Sequence, residues 1–196
     1  MQFPVNLNLT GRRCLVVGGG RVALRKARQL VECGAELTVV APTMAPEFAG
    51  LAAVLEPRNY RTSDLDGIRL VVTATGDPTV DQQIFDECER RGIWINSADD
   101  PERCSFTLPA VLRRGDVMVT TSTGGTSPAL SSWLRDRLEA VVGPEFAEIA
   151  EALGRERSRL RAAGLSTESI EWSPIIESLV NTHGVTAAEL HPETVG

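Results

Sequence analysis

Short apolar runs alternate with stretches of helical periodicity through the first half of the chain. Cys14-Leu15-Val16-Val17 is apolar without polar alternation, the pattern of a strand buried on both faces. Three glycines follow, then a helix-forming stretch from Arg21 to about Cys33, stopped by Gly34. Glu36 to Val40 reads as a second buried strand. The next unit is weaker: Ala45 to Ala53 predicts a short helix, and Val54 to Arg58 a strand that Pro57 pushes to a sheet edge. Leu70-Val71-Val72-Thr73-Ala74 is a third buried run. Asp77-Pro78 then reads as an N-cap followed by proline at the first helical position, opening a helix to about Arg91 that Gly92 ends. Ile93 to Asn96 gives one more strand. Strands alternating with helices predict an α/β fold with a parallel sheet and right-handed crossovers.

The rhythm breaks after Asn96. Ser97-Ala98-Asp99-Asp100-Pro101 is turn-rich, and strands at about Ala110–Arg113 and Val117–Ser122, joined by Arg114-Gly115-Asp116, read as a hairpin. A helix capped by Ser127 with Pro128 behind it runs to about Val142, where Gly143-Pro144 breaks it. The remainder reads as helical, interrupted at Gly164 and at Ser173-Pro174. The expected organisation is therefore a Rossmann-type α/β domain over 1–108, a hairpin region over 109–143 and a small helical domain over 144–196.

The glycines give the first unit its chemistry. Gly18, Gly20 and Ala23 fit G-x-G-x-x-G/A between a strand and a helix: a tight turn, close backbone approach to a pyrophosphate, and close helix–strand packing. The amides at Arg21, Val22 and Ala23 open the helix and face the phosphates. This marks a Rossmann-type dinucleotide site. At the end of the second strand, Val40-Ala41-Pro42-Thr43 offers neither an acid for a ribose 2′-hydroxyl nor a cation for a 2′-phosphate, since the next cation is Arg58. NAD is the expected cofactor, with Pro42 and Thr43 at the ribose; the bland alternative is that these two residues only turn the chain.

Composition adds exclusions. Of 196 residues, 42% are hydrophobic and 23% charged, the balance of a globular protein, and no apolar run approaches the length of a membrane span. The N-terminus lacks the pattern of a signal peptide, so a cytoplasmic location is expected. A net charge of −6 argues against nucleic acid as a partner. The four cysteines form no CxxC pair and the two histidines lie near the C-terminus, so no metal set is assigned.

Two further segments carry candidate chemistry. Asp99 and Asp100 follow a strand that should end at the same sheet edge as the glycine loop. A carboxylate there can act as a base or hold a metal, or simply make an Asp-Pro turn. Thr120 to Ser127 concentrates hydroxyls and glycines before a helix, which suits either an anion or a plain Ser127 cap. Arg155, Arg157, Arg159 and Arg161 suit either an acidic substrate or, as the preferred reading, a solvated face balanced by Glu148, Glu151 and Glu156.

Together these pieces resemble the precorrin-2 dehydrogenase / sirohydrochlorin ferrochelatase family, which includes the N-terminal module of bacterial siroheme synthases. The matching stretches are Phe3-Pro4-Val5-Asn6-Leu7, LVVGGGRVALRKARQL, LTVVAP, LVVTATGDPTV, NSADDPERCSFTLPAVLRRGDVMVTTSTGGTSPAL and WLRDRLE, nearly continuous from residue 3 to 140. The sequence departs from several relatives at Ser97 and Ala98, where they carry valines. The resemblance implies NAD-dependent oxidation of precorrin-2 to sirohydrochlorin in siroheme biosynthesis, and in some members insertion of ferrous or cobaltous ion. It implies a homodimer formed through the hairpin region. It places the family's essential aspartate at Asp99, the glycine-loop contacts at Gly18, Gly20, Arg21, Val22 and Ala23, and the ribose contacts at Pro42 and Thr43. Ser122, Thr123, Gly124, Gly125 and Thr126 become candidates for the carboxylates of the tetrapyrrole. A non-catalytic NAD- or tetrapyrrole-binding module is the competing expectation. No methyltransferase extension accompanies the match, which would leave uroporphyrinogen methylation to another chain.

Overall fold

The computed structural model describes residues 2–98, 100–168 and 170–183. The chain divides into two compact units, Met1–Leu108 and Pro109–Gly196.

The first unit is a parallel sheet of β1 (Arg13–Val17), β2 (Glu36–Val40), β3 (Ala53–Glu56), β4 (Leu70–Thr73) and β5 (Trp94–Ser97), in the spatial order β3-β2-β1-β4-β5. The strand order reverses between β1 and β4, both hydrogen-bonded neighbours of each other, and ligands of open α/β sheets bind beyond the carboxyl ends at such a point. Helix α1 (Arg21–Glu32) follows β1 and α2 (Pro78–Arg91) follows β4. Alternation along each strand sends successive side chains to opposite faces. Cys14, Val16, Leu70 and Val72 pack with Ala23, Leu24, Ala27 and Leu30 of α1. Leu15, Val17, Val71 and Ile95 pack with Ile84 and Cys88 of α2. The two helices therefore cover opposite faces of one sheet, and the central strands β1 and β4 are buried on both sides as their unbroken apolar runs require.

β3 lies at the sheet edge as expected, though it ends at Glu56, before Pro57, and does not run to Arg58, and the short helix expected over 45–53 is only a 3₁₀ turn at Pro46–Gly50. Its Phe48 is buried and anchors the turn in the α1-side core.

The second unit contains an antiparallel hairpin, β6 (Ala110–Arg114) and β7 (Val117–Thr121), and three helices: α3 (Pro128–Glu139), α4 (Glu145–Ala162) and α5 (Ser173–Thr182). Helix α3 stops three residues before the expected Val142. Ser173-Pro174 does not interrupt a helix: proline is tolerated in a first turn, where its missing N–H costs nothing, and it opens α5. A small cluster of Ile149, Val180, Phe146, Leu153 and Leu179 joins α4 to α5. Among the described residues, no helix is long and apolar enough to cross a membrane.

Candidate functional site

The glycine loop leaves β1 as a buried turn and ends as an exposed helix start. Gly18 is buried with φ 137°, a conformation that favours glycine, and a Cβ there would overlap the Ala74 carbonyl at the end of β4. A Cβ on Gly19 would overlap the Thr43 carbonyl in the turn after β2, and the Gly19 carbonyl accepts from the Ala45 amide at 2.8 Å. At Gly20 a Cβ would meet nothing within 4 Å. Gly18 and Gly19 thus let three strand ends pack together, while Gly20 faces open space. The pattern G-x-G-x-x-A missed Gly19; the unusual run of three glycines was the available signal.

Gly20 is the N-cap of α1, with extended backbone and no side-chain cap, and the first turn holds no acidic residue. The unpaired amides of this turn carry the positive end of the helix dipole. Arg21 is exposed, Val22 half-buried and Ala23 fully buried against the sheet. Exposed Pro42 and Thr43 border the same loop through the Gly19–Thr43 contact. The residues present fit a pyrophosphate: a side-chain-free approach at Gly20, an uncapped helix start, and no carboxylate in its first turn.

A second feature lies beyond β4 and β5. A cleft of about 260 Å³ is lined by Thr73, Ala74, Gly76, Pro78, Asp81, Ser97, Ala98, Asp100 and Arg103. Thr73 and Ser97 are register partners on the adjacent strand ends, and both are buried. Asp81, also buried, accepts a 2.9 Å hydrogen bond from the Thr75 hydroxyl. Asp100 caps the short turn at Pro101–Arg103 by accepting from the Glu102 amide at 2.9 Å, and it pairs with Arg103 at 3.0 Å. The loop is braced from behind. Burial pushes the Cys104 thiol above its ordinary range, and as a thiol it donates to the carbonyls of Ser97 and Asp100. The Asn96 side-chain amide donates to the Phe106 carbonyl at 3.0 Å. Asp99, the expected catalytic carboxylate, lies outside the described residues. Thr73, Ser97 and Asp81 escaped the sequence reading; a threonine closing an otherwise apolar strand was the signal that was there.

In the second unit, Ser122 and Thr126 are exposed and Gly124 and Gly125 have left-handed backbone (φ 64° and 90°). The Thr123 hydroxyl is already engaged: it donates to the Ser127 carbonyl at 3.0 Å and accepts from the Ser127 amide at 2.9 Å. The Ser127 hydroxyl caps α3 by accepting from the Leu130 amide. Two arginines of α4 form local pairs, Arg155 with Glu151 and Arg159 with Glu156. Among the described residues, no group of His, Cys, Asp or Glu is arranged to hold a metal.

A family model described as "Putative NAD(P)-binding" matches residues 5–110. The siroheme synthase of Chromobacterium violaceum is 39% identical over 181 residues, covering 89% of this chain and 38% of that protein. The siroheme synthase of Pseudomonas entomophila is 40% identical over 199 residues, covering 96% of this chain and 43% of that protein. The chain therefore spans about two fifths of the length of these curated relatives. The solved structure of SirC, a precorrin-2 dehydrogenase, superposes with a TM-score of 0.70 at 25% identity, over 96% of this chain and 92% of that one.

Proposed function

The chain belongs to the NAD(P)-binding family, and from that premise we propose that it oxidises precorrin-2 to sirohydrochlorin with NAD in siroheme biosynthesis. The observation that carries this reading is the likeness to a precorrin-2 dehydrogenase over nearly the whole of both chains. The siroheme synthases agree with it over most of this chain.

The reaction removes a hydride and a proton from the tetrapyrrole. The nicotinamide supplies the hydride acceptor when bound. The protein's residues bind, orient and handle the proton. Gly20 and the amides of Arg21, Val22 and Ala23 would hold the pyrophosphate, Gly18 would shape the turn from its buried position with its own amide spent on the Val40 carbonyl, and Pro42 and Thr43 would border the ribose. NAD is preferred over NADP because residues 40–50 contain no lysine or arginine, and Glu47 adds a negative charge there. Asp99 takes the proton. Ser122, Thr123, Gly124, Gly125 and Thr126 meet the substrate carboxylates through hydroxyls and amides. Thr123 contributes by holding the turn, since its own hydroxyl is spent on Ser127. Residues 109–143 form the contact of a homodimer, and residues 144–196, of which 184–196 lie outside the described residues, are assigned to a helical domain.

The test is anaerobic incubation with precorrin-2 and NAD, followed by absorbance, with single-turnover rates for Asp99→Ala and Asp100→Ala. Conversion should require NAD. Asp99→Ala should lose about 10²–10⁴-fold in rate while binding NAD normally, as expected for a removed general base. Asp100→Ala should be far milder, because Asp100 is committed to its turn and to Arg103. No conversion by the wild type refutes the activity, and near-normal turnover by Asp99→Ala refutes the role given to that carboxylate.

A further inference from the structure

The Thr73 hydroxyl is fully buried and, among the described residues, has no hydrogen-bond partner. Such a group is costly to leave unpaired, which is why buried hydroxyls in native proteins nearly always have a partner. Thr73 is nevertheless one of the residues that line the cleft beyond β4 and β5, together with Ser97 and Asp81. Alternation along β4 puts Thr73 on the face of Val71, the α2 side of the sheet, and Ser97 shares that face with Ile95. One oxygen of Asp81 takes the Thr75 hydroxyl, and the other has no partner among the described residues. A residue with an unpaired buried hydroxyl and a residue with a carboxylate oxygen able to accept thus border one cleft.

The charge around them narrows the ligand. Asp81 and Asp100 are the acids of the cleft and Arg103 its only cation among the described lining residues, already paired with Asp100. The excess charge is negative. An acetate or propionate arm of a tetrapyrrole is repelled there; a primary carboxamide, with one carbonyl acceptor and an NH₂ donor, is matched on both sides. The cleft opens at the carboxyl edge on the face opposite α1, next to the β1–β4 switch point, where the second half of a dinucleotide is expected.

We propose that Thr73, Asp81 and Ser97 form the subsite for the nicotinamide carboxamide, with the Thr73 hydroxyl donating to its carbonyl oxygen and Asp81 accepting from its NH₂. This deepens the dinucleotide reading and rests on it. It adds a consequence: the oxidised nicotinamide ring is cationic and the reduced ring neutral, so the Asp81 carboxylate favours the oxidised form, the one that can accept hydride.

Calorimetric titration of the full chain with NAD⁺, NADH and ADP-ribose, which lacks the nicotinamide, tests this. Thr73→Val should weaken NAD⁺ binding by about three- to tenfold, the range of one net hydrogen bond, and leave ADP-ribose binding unchanged. Its melting temperature should hold or rise, since an orphaned buried hydroxyl is removed. Thr73→Ser, which keeps the hydroxyl, should restore NAD⁺ affinity. Asp81→Asn keeps an acceptor for Thr75 and should weaken NAD⁺ more than NADH. Wild-type protein that binds neither NAD⁺ nor ADP-ribose overturns the dinucleotide site and this subsite together. Wild-type binding of both, with unchanged NAD⁺ affinity in Thr73→Val or an equal loss of ADP-ribose, overturns the subsite alone.

Discussion

Helices α1 and α2 both begin at the carboxyl edge of the same parallel sheet, on opposite faces, and their first turns are built in opposite ways. Helix α2 satisfies itself. The Asp77 carboxylate accepts from the Thr79 amide at 2.9 Å and reaches the Val80 amide at 3.4 Å, Pro78 has no amide to satisfy, and Asp81 adds negative charge in the first turn. Helix α1 has none of these: Gly20 caps it without a side chain, and no acid follows. Sheet, strand ends and helix type are the same, so the difference lies in a few residues. A self-capped start is a stability device closed to anions, and a bare start is a binding device that gives up that stability.

The largest effect should come from Gly19→Ala. The added methyl meets backbone at Thr43, which no rotamer change can relieve. Either the glycine loop or the turn after β2 must move, at about 1–3 kcal/mol for an overpacked site. The pyrophosphate turn is then misplaced, and NAD binding should be lost along with a clear drop in melting temperature. A variant with wild-type melting and wild-type NAD affinity would show that the contact between these loops is dispensable.

Gly20→Asp separates the two devices. Gly20 has φ −85°, open to any residue, and a side chain there has room. An aspartate at this N-cap makes α1 resemble α2: it can cap the helix's own amides and adds negative charge where the pyrophosphate should bind. Stability should stay level or rise by about a few tenths of a kcal/mol, the modest gain over a glycine cap, while NAD affinity collapses. Retained NAD affinity, measured by calorimetry, would move the phosphate site elsewhere.

What could be read from the chain follows the range of the signal. Both helix starts were legible, since strand–glycine–helix and Asp-Pro are local patterns, and so was the β3 edge position implied by Pro57. Gly19 was not, because its constraint comes from Thr43, distant in sequence and brought close only when β1 and β2 pair. The cleft at Thr73, Ser97 and Asp81 was hidden for the same reason: its walls come from two strands and a helix. The Thr120–Ser127 segment was ambiguous between an anion site and a cap. The Ser127 cap is present and the Thr123 hydroxyl is spent locally, so what remains for a ligand is narrower than its hydroxyl count suggested.

The smallest effect is expected from Asp77→Ala, and it completes the contrast. Losing the cap leaves the first-turn amides of α2 to water, at about 1 kcal/mol. The loss is softened because Pro78 has no amide to orphan and the Thr75–Asp81 bond still ties the turn to the helix. Asp77 is exposed at a helix start remote in role from Gly20, so NAD affinity should stay within about twofold while melting falls by a few degrees. Asp77→Asn, which keeps a capping oxygen, should recover most of the melting temperature, as Asn and Asp cap about equally well. If Asp77→Ala weakens NAD as much as Gly20→Asp does, the Asp77 cap is itself a binding element, and the two caps do not divide the labour between phosphate binding and stability.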